Sequence, residues 1–172
     1  MALRVQASIG IRAPGTNMVR ECAEAPSTSP ALARTNGDVH AGAKLVCIES
    51  LQVRADRVRA HVSCSPSVRM TTPELAHKVC ELRPLLPKHA CVNGKGSTFA
   101  AVIQHTPIIH LLEHVVVDIL TEQSSATDKI FVGTSEWVDY DAGRGRVEVS
   151  YCDDLEAIAA FKSAEELINT LL

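Results

Sequence analysis

His110 and His114 stand four residues apart with Glu113 between them, and this spacing has a specific chemical use. On an α-helix, residues i and i+4 lie one turn apart on one face, so two imidazoles can offer ring nitrogens to a single metal ion. A glutamate in the same turn can take a proton from water activated there. At 100° per residue, His110, Glu113, His114 and Asp118 span an arc of about 140°, and nearly every other position from Ile108 to Leu120 is apolar. The stripe would also serve as the solvated side of an amphipathic helix, although such faces favour Lys, Glu, Arg and Gln over two histidines in one turn.

The order His-x-x-Glu-His is that of the inverted zinc-peptidase motif, and closing such a site takes a third ligand. The sequence offers Asp118 on the same helix, Glu136 on the next strand, Glu148 on the strand after it, and His89 or Cys91 in the preceding loop. Glu136 is favoured, since a neighbouring strand can bring a carboxylate alongside the helix. Asp118, two turns beyond His110, is better placed to brace a histidine than to bind the ion. Cys91 near His89 reads as a weak nucleophile or a loop-packing thiol. The glycines of Gly94-Lys95-Gly96-Ser97-Thr98 are not a phosphate loop, because Gly96 separates Lys95 from Ser97 and the upstream glycine is missing.

The elements that must position these groups follow from periodicity and punctuation. Leu45 to Ile48 and Val58 to Val62 read as two strands around an Arg54-Ala55-Asp56 turn. Thr72-Pro73 starts a helix with Leu75, Val79, Leu82 and Leu86 at helical spacing, ending near Pro84 to Pro87. Thr106-Pro107 repeats that signal and opens the histidine helix, which runs to about Glu122. Lys129 to Val138 and Arg146 to Tyr151 form a second hairpin. Asp153 with Glu156 then starts a closing amphipathic helix on Leu155, Ile158, Phe161, Ala164, Ile168 and Leu171. The expected fold is α+β, in the order β-β-α-α-β-β-α, a mixed or antiparallel sheet with helices on one face.

Composition narrows the function classes. A chain of 172 residues with 46% hydrophobic residues suits one core, and 17 Lys and Arg against 20 Asp and Glu give no global pull toward nucleic acid or an anionic membrane. Aromatic residues make up 3% of the chain, too few to assemble base-stacking platforms or a carbohydrate cleft. Six scattered cysteines lack C-x-x-C spacing and are expected to be reduced core thiols. With no secretory signal and no membrane-length apolar run, the expectation is a cytoplasmic protein with neither nucleic acid nor membrane as partner.

The segment from Leu82 through His89 and Cys91, followed by Gly94 and Phe99, and then Thr106-Pro107-Ile108-Ile109-His110-Leu111-Leu112-Glu113-His114-Val115, resembles the amino-terminal domain of cyanophycin synthetases. There a similar H-x-C loop and glycines precede a helix carrying H-x-x-E-H-V. The likeness continues through Phe131 to Glu136, the strand ending at Tyr151 and the final helix. It implies a domain that engages the polymer of aspartate with arginine attached, or a zinc or other divalent metal-dependent hydrolase of an amide or isopeptide bond in such a peptide-like polymer. In the hydrolase His110 and His114 would be ligands, Glu113 the catalytic base and Glu136 the third ligand. Asp118, His89, Cys91 and Glu148 would support the metal or contact substrate. A non-catalytic module of the same fold, binding polymer or a partner enzyme, is the alternative. Asp118 stands where the family tends to have Glu, Gly133 and Ser135 where arginines are expected, and Ser150 where a carboxylate is expected. Nothing here corresponds to the ATP-grasp and Mur-ligase parts of the synthetase, so polymer synthesis by this chain alone is not expected.

Residues 1–42 are rich in Ala, Ser, Thr, Pro and Gly and read as a flexible tail ahead of a domain over 43–172, although Leu3 to Ile11 could add a strand. A tail of this composition predicts that deleting residues 1–39 leaves the melting temperature nearly unchanged.

Overall fold

The computed structural model describes residues 5–8, 44–124 and 129–172. Four long or medium strands build the body of the sheet: β2 (Val46–Val53), β3 (Arg57–Cys64), β5 (Val132–Asp139) and β6 (Arg144–Ser150). Two short strands, β1 (Val5–Ser8) and β4 (Cys91–Val92), extend it. The spatial order is β2-β3-β6-β5-β1-β4, with every pairing antiparallel. Three helices complete the fold: α1 (Pro73–Leu82), α2 (Ile108–Gln123) and α3 (Asp154–Leu171). This is the expected α+β order with β1 and β4 added.

Alternation along the central strands divides the sheet into two faces. Val58, Ala60 and Val62 of β3 and Val147 and Val149 of β6 are buried beneath the helices. α2 lies over β5 and β6, and α3 over β2 and β3. Two glycines permit the close approach of α2. A Cβ at Gly133 would sit 2.6 Å from Glu113 Cγ, and one at Gly145 would sit 2.9 Å from the Ile109 side chain. The opposite face carries Arg57, Arg59 and His61 of β3, Arg146 and Glu148 of β6, and Thr134 and Glu136 of β5, all half-buried.

Capping explains where two of the helices begin. Thr72 Oγ1 accepts the Leu75 N–H, and Asp153 Oδ1 accepts from Leu155 and Glu156. Along α3 the buried apolar positions are Ala157, Ala160, Phe161, Ala164 and Ile168, with Glu165 buried beside them, whereas Leu155, expected on the core side, is 71% exposed. Leu82 of α1 is likewise exposed. Asn169 accepts from the backbone of Leu45 and Val46 and Glu165 from Ile48, so α3 satisfies part of the outer edge of β2. No helix among the described residues is long and apolar enough to cross a membrane.

Within the segment expected to be tail, Val5–Ser8 is a strand inside the sheet. It pairs with β5 on one side, where Ala7 lies opposite Gly133, and with β4 on the other, where Ala7 lies opposite Cys91. The remaining positions of 1–42 lie outside the described residues. Deleting residues 1–39 removes an inner strand and leaves β4 without its ladder partner, so the expectation reverses. Thermal denaturation of the shortened chain should show a clear fall in melting temperature, and an unchanged value would show that β1 adds nothing to the fold.

Candidate metal centre

α2 is buried on every side from Ile108 to Leu120, so its polar stripe is not a solvated face. His110, Glu113 and His114 are each no more than 1% exposed. Burying polar rings costs free energy unless they are bonded, and these rings are bonded. Thr106 Oγ1 lies 2.7 Å from His110 Nδ1, His114 Nε2 lies 3.2 Å from His110 Nε2, and His89 Nδ1 lies 3.4 Å from His114 Nδ1. Phe99 stacks on His114 with ring centroids 3.8 Å apart and meets His110 edge-on. Thr106 was expected to cap α2. Pro107 occupies that position without a side-chain cap, and the threonine hydroxyl serves His110 instead.

The loop before α2 brings a thiol to the histidines. The His89 carbonyl accepts the Phe99 N–H at 2.8 Å and the Cys91 N–H donates to the Ser97 carbonyl at 3.1 Å, closing a short hairpin. Asn93 Oδ1 accepts from Lys95 and Gly96 at its tip. This hairpin turns Cys91 inward, and its Sγ lies 3.4 Å from His110 Nε2. Cys91, His110 and His114 form a buried group that could hold a metal ion, with one donor atom each and all three atoms within 4.8 Å of one another. A tetrahedral ion with Zn–N near 2.05 Å and Zn–S near 2.3 Å sets its ligands ~3.3 Å apart for N···N and ~3.6 Å for N···S. The His110–His114 and Cys91–His110 distances lie close to those edges.

The other expected residues divide between the two faces of the sheet. Glu113 lies over Gly133, and an arginine at that position would displace it. Ser135 is buried on the same face. Glu136 does not join the histidines. It lies on the open face, ion-paired with Arg146, because strand alternation turns Gly133 and Ser135 toward α2 and Glu136 away from it. Cys91, not Glu136, is the third residue of the group that could hold an ion. Glu148 also faces outward and binds Arg59 at 2.6 Å and Arg57 at 3.4 Å. Asp118 Oδ1 lies 3.0 Å from the Nε2 of His89, a histidine outside the motif. The side chains of Cys91, His110, Glu113 and His114 are all enclosed. Among the other cysteines, Cys64 is buried, Cys47 and Cys80 are half-buried and Cys152 is exposed, all four as free thiols; Cys22 lies outside the described residues.

Electrostatics favour neutral donors. Burial pushes His110 down to about 4. Burial holds His114 well below its usual value, with repulsion from His110 and His89 acting in the same direction. Burial raises the Cys91 thiol, partly offset by Asn93 and reinforced by the charge of Glu113. A thiolate–imidazolium pair is therefore disfavoured, which argues against Cys91 as an activated nucleophile. Neutral imidazoles with available lone pairs are the form a metal ion requires.

A family model described as the cyanophycin synthase-like N-terminal domain matches residues 59–172. No curated protein and no solved structure matches the chain.

The depressed histidine values predict the acid limb of stability in the metal-free protein. The unfolded chain takes up protons near pH 6.5 while the folded rings stay neutral, so stability present above pH 6.5 is lost as pH falls toward 4. For His110 alone the loss by pH 4 is on the order of 3 kcal/mol. Urea titrations across this range should show the fall, and a His110→Gln variant should flatten it; identical slopes would contradict neutral burial of His110.

Proposed function

The chain belongs to the cyanophycin synthase-like N-terminal domain family, and on that premise we propose that it is a metal-dependent hydrolase of an amide or isopeptide bond in a peptide-like polymer. The observation that carries this reading is the gathering of Cys91, His110 and His114 within 4.8 Å of one another, with the His110–His114 and Cys91–His110 edges near those of a tetrahedral site, on the helix that also carries the buried Glu113. One thiol and two imidazoles suit zinc among the divalent ions, leaving a fourth position for water or substrate. Such an ion polarises a carbonyl and acidifies water.

The residues divide the work. His110 and His114 would hold the ion through ring nitrogens, and Cys91 would hold it as a thiolate, since a thiol ligand must lose its proton to bind. Glu113 accepts the proton of the attacking water and returns it to the leaving amine. Phe99 fixes the plane of His114, and Gly133 leaves Glu113 the room it occupies. Within this reading the substrate is a polymer of aspartate with arginine attached, as the family name suggests.

One observation favours the second reading, a non-catalytic module that binds polymer or a partner. The open sheet face presents Arg57, Arg59 and Arg146 interleaved with Glu136 and Glu148, a lattice of both charges suited to a polymer bearing both.

The two readings separate on Glu113→Gln. The hydrolase predicts that this variant keeps its metal and loses cleavage by about 100-fold or more, because the amide retains shape but cannot accept the proton. His110→Ala should lose both metal and cleavage. The measurement pairs metal content with cleavage of β-linked aspartyl-arginine and ordinary dipeptide-repeat substrates. Undiminished cleavage by Glu113→Gln removes Glu113 from the mechanism, and a metal-free wild type without turnover leaves the binding module.

A further inference from the structure

Behind the three donors lies a second line of buried groups that the hydrolytic reading does not use. Arg83 Nη1 stands 3.5 Å from Asp118 Oδ2 and is also paired with Glu122 at the surface. Asp118 Oδ1 is 3.0 Å from His89 Nε2, and His89 Nδ1 is 3.4 Å from His114 Nδ1. His89 is 2% exposed and Asp118 7%. The line therefore runs from a surface arginine through the protein interior to one histidine of the cluster.

Hydrogen-bond logic gives this line a direction. An ionised carboxylate only accepts, so His89 Nε2–H donates to Asp118. With that proton in place, His89 Nδ1 keeps its lone pair and accepts from His114 Nδ1–H. His114 Nε2 is then left with a bare lone pair, aimed at His110 Nε2 and the Cys91 side of the cluster. The partner of His110 is different in kind. Thr106 is a hydroxyl and can donate to or accept from Nδ1, so the His110 ring can hold its proton on either nitrogen. One ring is locked and the other is adaptable.

We propose that Asp118, acting through His89, is a positioning relay that fixes the tautomer of His114 so that its Nε2 lone pair faces the Cys91–His110 pair. The relay rests on the metal-centre reading for its purpose, but not for its existence. It assigns work to His89 and Asp118, which touch neither of the other two donors.

The tautomers can be read directly in the metal-free full-length protein by long-range ¹H–¹⁵N NMR of the histidine rings. Wild type should show His89 protonated at Nε2 and His114 protonated at Nδ1. A His114 ring protonated at Nε2 overturns the relay, and this measurement depends on no variant folding. Asp118→Asn supplies the second arm. Arg83 is a donor, so the new amide should turn its oxygen to Arg83 and its NH2 to His89, reversing the line and placing a proton on His114 Nε2. Zinc affinity, measured by competition with a chelator, should fall about 10- to 100-fold. Adding Arg83→Met frees the amide to flip and should restore most of that affinity, which loss of packing alone would not do. An Asp118→Asn protein with unchanged His114 tautomer and unchanged zinc affinity sinks the proposal. A wild type with the stated tautomers that binds no zinc leaves the relay standing and removes the metal-centre reading.

Discussion

Desolvation of two imidazoles one turn apart on α2 sets the terms for the rest of the structure. A helix with no solvent-facing side from Ile108 to Leu120 must give each polar group on it a partner inside the protein. His110 takes the Thr106 hydroxyl, His114 takes His89, and Phe99 covers both rings. The surroundings follow from this need. The loop from His89 to Phe99 folds back as a hairpin so that His89 and Cys91 both reach the helix, and Gly133 and Gly145 let the helix settle onto β5 and β6. A cation between the donors would turn the cost of clustered lone pairs into a gain, and would stabilise the fold by mass action.

The position of Cys91 sets the donor cluster apart from the open face of the sheet. A carboxylate from β5 would have made the sheet part of the metal site. Cys91 instead comes from β4 at the sheet edge, where β1 pairs with it, so the amino-terminal strand supports this segment through backbone pairing. The sheet's open face is thereby left with its own charged network of Arg57, Arg59, Arg146, Glu136 and Glu148. The buried donor cluster and the charged network thus lie on opposite faces of one layer.

Element order was legible because it rests on local signals: the Thr72-Pro73 and Asp153 starts, the hairpin turns and the apolar periods all act within a few residues. The His-x-x-Glu-His spacing was legible for the same reason. Which strand carboxylates face the histidines depends on parity. Glu136 alternates with Gly133 and Ser135, and Glu148 with Val147 and Val149, so the pattern that buries the small and apolar residues sends both carboxylates outward. That signal was present in the sequence and pointed away from Glu136. His89 and Cys91, two apart, share a side of an extended segment, which was the available hint that the loop, not the sheet, faces the histidines. The place of β1 was not legible, since four residues enter a sheet only through pairing with strands far along the chain. Leu155 and Leu82 kept helical spacing yet lie exposed, because each sits in the end turn of a helix where the core no longer reaches.

The account stands on Cys91, His110 and His114 sharing one ion, and cobalt(II) substitution tests that most directly. Thiolate and imidazole donors in tetrahedral array should give an intense visible d–d band together with a near-ultraviolet sulfur-to-cobalt charge-transfer band, at one ion per chain. The charge-transfer band should vanish in Cys91→Ser, and both bands should vanish in His110→Ala. A wild-type protein that takes up no cobalt, or that binds it with a weak octahedral spectrum and no charge-transfer band, would contradict the proposed centre.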